Sequence, residues 1–104
     1  SLRFYEALSL GRIPVVIDTD MSFPLTDVVP YEKIMIRVPY RDRAKIDQYI
    51  ADFFAGMSEA EWQERQQLAR ESFEKYLSVN GFYRYMFTEG NLERYLTPAA
   101  KVVV

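Results

Sequence analysis

Three side chains at the head of the chain, Ser1, Arg3 and Glu6, have the types and spacing of an anion site. Ser1 stands where an N-cap would open a helix, and Gly11 stands where a left-handed residue would close it. Arg3 and Glu6, three residues apart, project from one side of that helix. A helix N-terminus offers unpaired N–H groups and about half a positive charge, which suits a phosphate. An adjacent guanidinium can grip a diphosphate with two parallel hydrogen bonds. A carboxylate one turn further on can accept hydrogen bonds from ribose hydroxyls. The same residues also fit a plainer reading, a capping serine beside a surface ion pair. A second group, Asp18, Thr19 and Asp20, follows the apolar run Ile13–Ile17. Ligands of open α/β sheets sit at the C-terminal ends of parallel strands, so Asp18 and Asp20 are candidates to meet a sugar or a base. A turn with self-bonded Asp side chains is the alternative.

Composition limits the chemistry further. The 104 residues contain neither Cys nor His. Disulfides, thiolate catalysis, Cys/His zinc sites and histidine acid–base work are thereby excluded. Asp, Glu, Lys, Arg, Tyr, Ser and Thr remain, and no catalytic residue, cofactor site or metal site is assigned among them. Thirteen basic and 15 acidic residues give a formal charge of −2, with no basic footprint for a nucleic-acid backbone. No polybasic block addresses anionic lipid. The longest apolar run, Ile13–Ile17, falls far short of the ~20 residues of a membrane span. No signal peptide is expected at an N-terminus that opens on a charged, aromatic segment.

Periodicity places these residues on elements. Residues 1–11 read as a short helix, apolar nearly all round, with Leu2, Tyr5 and Leu8 as one stripe. Residues 13–17 and 33–38 are β-branched runs too short for helices, and read as strands buried on both faces. A Pro-containing crossover between them predicts that they pair in parallel. Asp42 is expected to cap a helix ending at Gly56, with the stripe Ile46, Tyr49, Ile50, Phe53 and Phe54. Ser58 and Glu61 form a capping box for the next helix, flanked by a Met57–Trp62 staple. Asn80-Gly81 is expected to end it. Glu61–Arg65, Arg70–Glu74 and Glu71–Lys75 are candidate surface pairs. Phe82–Phe87 reads as a short helix whose rings are core rather than a stacking platform. Asn91–Leu96 reads as one more turn, and Lys101–Val104 has strand propensity. Two strands make no viable sheet alone, so the chain reads as part of a larger α/β domain.

The run SLRFYEALSLGRIPVVIDTD, followed by FPLTDVV, resembles the nucleotide-sugar signature of exostosin-type glycosyltransferases. WQERQQLARESFEKYLS is similar to that family's downstream helix, and the resemblance runs over roughly residues 1–87. Its order and spacing are specific in the first block and general in the helical tail. The resemblance implies the C-terminal half of the donor domain of a B-type glycosyltransferase fold, a partial Rossmann-like parallel sheet flanked by helices. It implies that Ser1 and Arg3 contact the donor diphosphate and that Glu6 reads the ribose. It implies no tightly bound metal ion.

On this reading residues 1–104 form one partial nucleotide-sugar-binding domain. Residues 1–56 are the donor-binding core and 57–104 a C-terminal helical segment. The implied reaction moves a sugar from a nucleoside diphosphate sugar to a glycan hydroxyl. The start of the donor domain, the acceptor domain and the general base are expected outside these residues, leaving this part inactive alone and able to self-associate through its cut surface. Arg12, where eukaryotic members often carry Cys, implies a cytoplasmic, bacterial-type relative rather than a Golgi one. The rival function is a non-catalytic α/β module in which Arg3–Glu6 is an ordinary ion pair.

Overall fold

The computed structural model describes residues 2–88 and 90–96. Ser1 and the tail Lys101–Val104 lie outside the described residues. The first helix, α1 (Leu2–Ser9), leads into strand β1 (Val15–Asp18). A long connection carries helix α2 (Tyr31–Ile34) and ends in strand β2 (Ile36–Pro39). A 3₁₀ segment over Tyr40–Lys45 precedes α3 (Ile46–Phe54). Then come α4 (Glu59–Ser72), a π-helical turn at Phe73–Leu77, α5 (Val79–Met86) and α6 (Asn91–Tyr95). The two strands pair in parallel, Val15 opposite Ile36 through Asp18 opposite Pro39, as their crossover predicts. The molecule is therefore a mixed α/β structure around a small parallel sheet. No described helix is long and apolar enough to cross a membrane.

The core departs from the expected pattern at the strands. Leu8, Ile34 and Val38 are fully buried, but Val15 and Ile17 are 42% and 40% exposed. One face of β1 is thus open, where burial on both faces was expected. Its pairing starts early, the Pro14 carbonyl accepting the Ile36 N–H at 2.9 Å. Pro14 lacks only a donor, so it serves here as an acceptor. Lys33 and Ile34 are helical rather than extended. Tyr31 and Ile34 are both buried, and only a helical turn turns residues three apart to one side. On α1 the buried stripe is Phe4 and Leu8, whereas Leu2 and Leu10 are exposed. α1 and α2 both pack against α4, while β2 packs against α3.

Two predicted helix boundaries and one predicted ion pair change for physical reasons, while one predicted cap holds. Asp42 does not cap α3: its carboxylate accepts the Tyr49 hydroxyl, and its backbone lies outside the helical region. Ser58 does cap α4, accepting the Glu61 N–H at 3.1 Å. Arg65, expected to pair with Glu61, instead reaches the Lys33 carbonyl at 3.3 Å and lies over the Phe53 ring. Asn80-Gly81 does not end a helix. The chain breaks at Ser78, whose hydroxyl accepts the Gly81 N–H at 3.0 Å, and Gly81 lies in the first turn of α5.

At the other end of α1 the glycine prediction holds. Gly11 takes φ 69°, its N–H reaches the Leu8 carbonyl at 3.0 Å and the Arg12 N–H reaches Ala7 at 2.9 Å. This pair of bonds satisfies carbonyls that the helix end would leave open.

Gly81 is dictated by a close approach rather than by backbone angles. A Cβ there would overlap the Glu74 carbonyl oxygen, the point where α5 folds back on the π-helical turn. Gly56 has φ 71° and open space around it. Gly81→Ala is therefore expected to cost about 3 kcal/mol. Gly56→Ala is expected to cost about 1 kcal/mol, for the left-handed backbone alone. Urea midpoints of both variants, at unchanged m-value, check the order.

Candidate functional site

The loop after β1 is the structural centre of the predicted site. The Asp18 carboxylate accepts the Met21 N–H at 2.8 Å and the Arg37 Nε at 2.7 Å. Arg37 comes from β2, one position before Val38 in the strand, and also donates to the Met21 carbonyl at 3.1 Å. Its guanidinium lies 5.1 Å from the centroid of Phe23, a cation–π distance. The loop from 18 to 23 is thus fastened to the neighbouring strand at three points. The Met21 N–H, then the Arg37 guanidinium, hold the Asp18 carboxyl below the usual carboxylate range.

Two of the clefts that border this loop carry predicted site residues. The first, about 480 Å³, is lined by Arg3, Phe4 and Tyr5 of α1, by Pro14 and Val16, and by Met21, Ser22 and Phe23. Its floor is aromatic, with Phe4 5.1 Å from Tyr5 and 5.3 Å from Phe23 between ring centroids. The second, about 470 Å³, opens at the C-terminal ends of both strands between Asp18, Thr19, Asp20, Pro39, Tyr40 and Arg41. Asp20 takes φ 65° there, a left-handed conformation that Asp tolerates better than most residues.

The structure therefore sorts the predicted residues into groups. Arg3 faces the first cleft at the start of α1. Glu6 is exposed one turn along the same helix and does not line that cleft; its backbone carbonyl accepts the Ser9 hydroxyl at 2.7 Å. Asp18 and Asp20 line the second cleft, where the self-bonded turn and the position at the strand ends both hold. Ser1 lies outside the described residues. Among these, no group of three acidic side chains converges in a way that would hold a metal ion. The aromatic run of α5 is mainly packing: Phe82, Tyr85 and Met86 lie against the core.

Sequence reasoning passed over Arg37, Tyr40 and Arg41. A signal for Arg37 was present, because it is the sole charge in the apolar stretch Ile34–Val38. A cation kept inside a strand generally has a partner across the sheet. Arg41 sits in an ordinary charged stretch and carries no such signal.

Comparison with known proteins gives a partial result. The chain is 40% identical over 47 residues to one probable glucuronosyltransferase of Oryza sativa subsp. japonica, covering 45% of the chain and 11% of that protein. It is 38% identical over 50 residues to a second probable glucuronosyltransferase of the same plant, covering 48% and 12%. The chain thus spans about a tenth of the length of these relatives. No family model matches it, and no solved structure matches it.

The lowered Asp18 carboxyl has a consequence in acid. Its stabilising contribution is complete above the pKa of an unfolded Asp, about 4, and disappears as pH falls through the lower folded value. Wild type is expected to lose stability more steeply than Asp18→Asn below about pH 4. Urea unfolding at a series of pH values checks this, and a wild-type curve parallel to that of D18N would contradict it.

Proposed function

We propose that the chain is part of a glycosyltransferase, supplying the diphosphate and ribose side of a site for a nucleoside diphosphate sugar. The observation that carries the reading is the partial identity with two probable glucuronosyltransferases, which makes a glucuronosyl donor the first candidate. The resemblance of the first 29 residues to exostosin-type enzymes supports the finer assignment. So does the placing of Arg3 on a cleft between the first turn of α1 and the loop after β1. In this reading Arg3 stabilises the charge that develops on the departing diphosphate, a task a metal ion performs in other enzymes. Ser1 and the N-terminus of α1 orient the diphosphate, and Glu6 accepts the ribose hydroxyls. The transfer is inverting, to a glycan hydroxyl, with the base and the acceptor site contributed by the remainder of the enzyme. The fold class in this reading is the donor domain of a B-type glycosyltransferase.

Positioning a donor without an acceptor or base leaves no bimolecular step to accelerate, so these residues bind without turnover. Affinity is expected in the millimolar range, about −4 kcal/mol. Arg3→Ala should weaken pyrophosphate and nucleoside diphosphates alike by about tenfold, through loss of a charge-assisted bidentate contact. Glu6→Gln should weaken ribose-bearing nucleotides and leave pyrophosphate unchanged. Titrations followed by NMR shifts compare the three proteins. Identical behaviour of all three would remove the donor site and leave Arg3 and Glu6 as ordinary helix-surface charges.

A further inference from the structure

The cleft at the strand ends has a charge arrangement that the diphosphate assignment does not use. Of its two carboxylates, Asp18 is already neutralised by Arg37 and by the Met21 N–H. Asp20 is exposed, and among the described residues no donor is hydrogen-bonded to its carboxylate. Arg41 is exposed and forms no ion pair with any described carboxylate, Asp20 included, although both line the same cleft. Its neighbour Arg43 is committed elsewhere, lying 4.1 Å from the Tyr40 ring centroid and donating to the Tyr40 carbonyl at 2.9 Å. What remains available is one cation, one carboxylate and the Thr19 hydroxyl, held at the rim of a 470 Å³ cleft.

That set discriminates between ligand chemistries. A phosphate would meet the uncompensated Asp20 charge beside a single cation, a poor balance for a dianion. A base seeking a ring to stack on would find one face of Tyr40 covered by Arg43. A sugar with a carboxylate fits both signs. Its acid group is a planar partner for one guanidinium, and its hydroxyls donate to a carboxylate and share with a threonine.

We propose that this cleft binds an acidic sugar, a uronate, with its carboxylate on Arg41 and its hydroxyls on Asp20 and Thr19. For the class of ligand this rests on the glycosyltransferase reading, in which the uronate is the sugar of the donor. The contact is solvent-exposed, so Arg41 confers a preference of about three- to fivefold over the neutral sugar rather than a large affinity.

The test separates the cleft from the diphosphate site by using sugars without phosphate. The ¹⁵N-labelled chain is titrated with methyl β-D-glucuronide and, in parallel, with methyl β-D-glucoside. In wild type the glucuronide should move the amides of Thr19, Asp20 and Arg41 at three- to fivefold lower concentration than the glucoside. Arg41→Gln should lose that preference and keep the glucoside response, Arg41→Lys should keep part of it, and Arg3→Ala should change neither titration. A wild-type protein that shows no preference, or none of these shifts, overturns the proposal. So does an R41Q variant that keeps the preference. Failure of the donor-diphosphate reading would appear instead as an R3A variant that binds pyrophosphate like wild type.

Discussion

The pairing of Asp18 with Arg37 is the constraint on which the candidate site depends. It adds side-chain ties beyond the strand end, where the backbone pairing of β1 with β2 stops at Asp18 and Pro39. One guanidinium on β2 ties down the carboxylate of residue 18, the carbonyl of Met21 and the ring of Phe23. Both clefts use this loop as a wall, Met21–Phe23 on one side and Asp18–Asp20 on the other. The bridge is partly exposed, so its contribution to global stability is small. Its importance lies in geometry. Ordering a six-residue loop before a ligand arrives removes an entropy cost from binding.

A second set of ties holds the crossover between the strands. The Tyr31 hydroxyl donates to the Pro24 carbonyl, and burial pushes this phenol well above its ordinary value. Near the other end of the chain, the Asp27 carboxylate accepts the Tyr95 hydroxyl at 2.7 Å and Arg94 at 2.7 Å. Tyr85 completes that cluster, 2.9 Å from the Tyr95 hydroxyl. α6 is thereby anchored on the connection that precedes α2, some 68 residues earlier in the chain. Phe4, Phe23 and Tyr31 pack tilted against one another beneath these ties. A small core built on rings gains burial area that its length alone would not supply.

Local chemistry made part of this legible from residue types. Gly11 as a left-handed stop, Ser58 as a cap and the parallel pairing of two β-branched runs follow from rules that act over a few residues. What escaped depends on distant neighbours. Gly81 resembles a helix terminator, and only the Glu74 carbonyl folded against it explains why a glycine sits inside a helix. Asp42 has the type of a cap, and a tyrosine one element later claims its carboxylate. The exposed face of β1 contradicts a pattern that in complete parallel sheets signals burial on both sides. Arg3, Asp18 and Asp20 were visible as candidates because their residue types suit anions and hydroxyls. That Arg3 shares a cleft with Met21–Phe23, while Glu6 stands apart from it, is a matter of how the loop folds back on α1.

The most direct test of the account is a crystal structure of the chain soaked with a nucleoside diphosphate sugar. The account predicts the diphosphate in the cleft formed by Arg3 and residues 21–23, with the Arg3 guanidinium at about 2.7–2.9 Å from its oxygens. The Asp18–Arg37 bridge should be unchanged from the free protein. A diphosphate bound elsewhere on the surface, with that cleft unoccupied and Arg3 turned away, would contradict it.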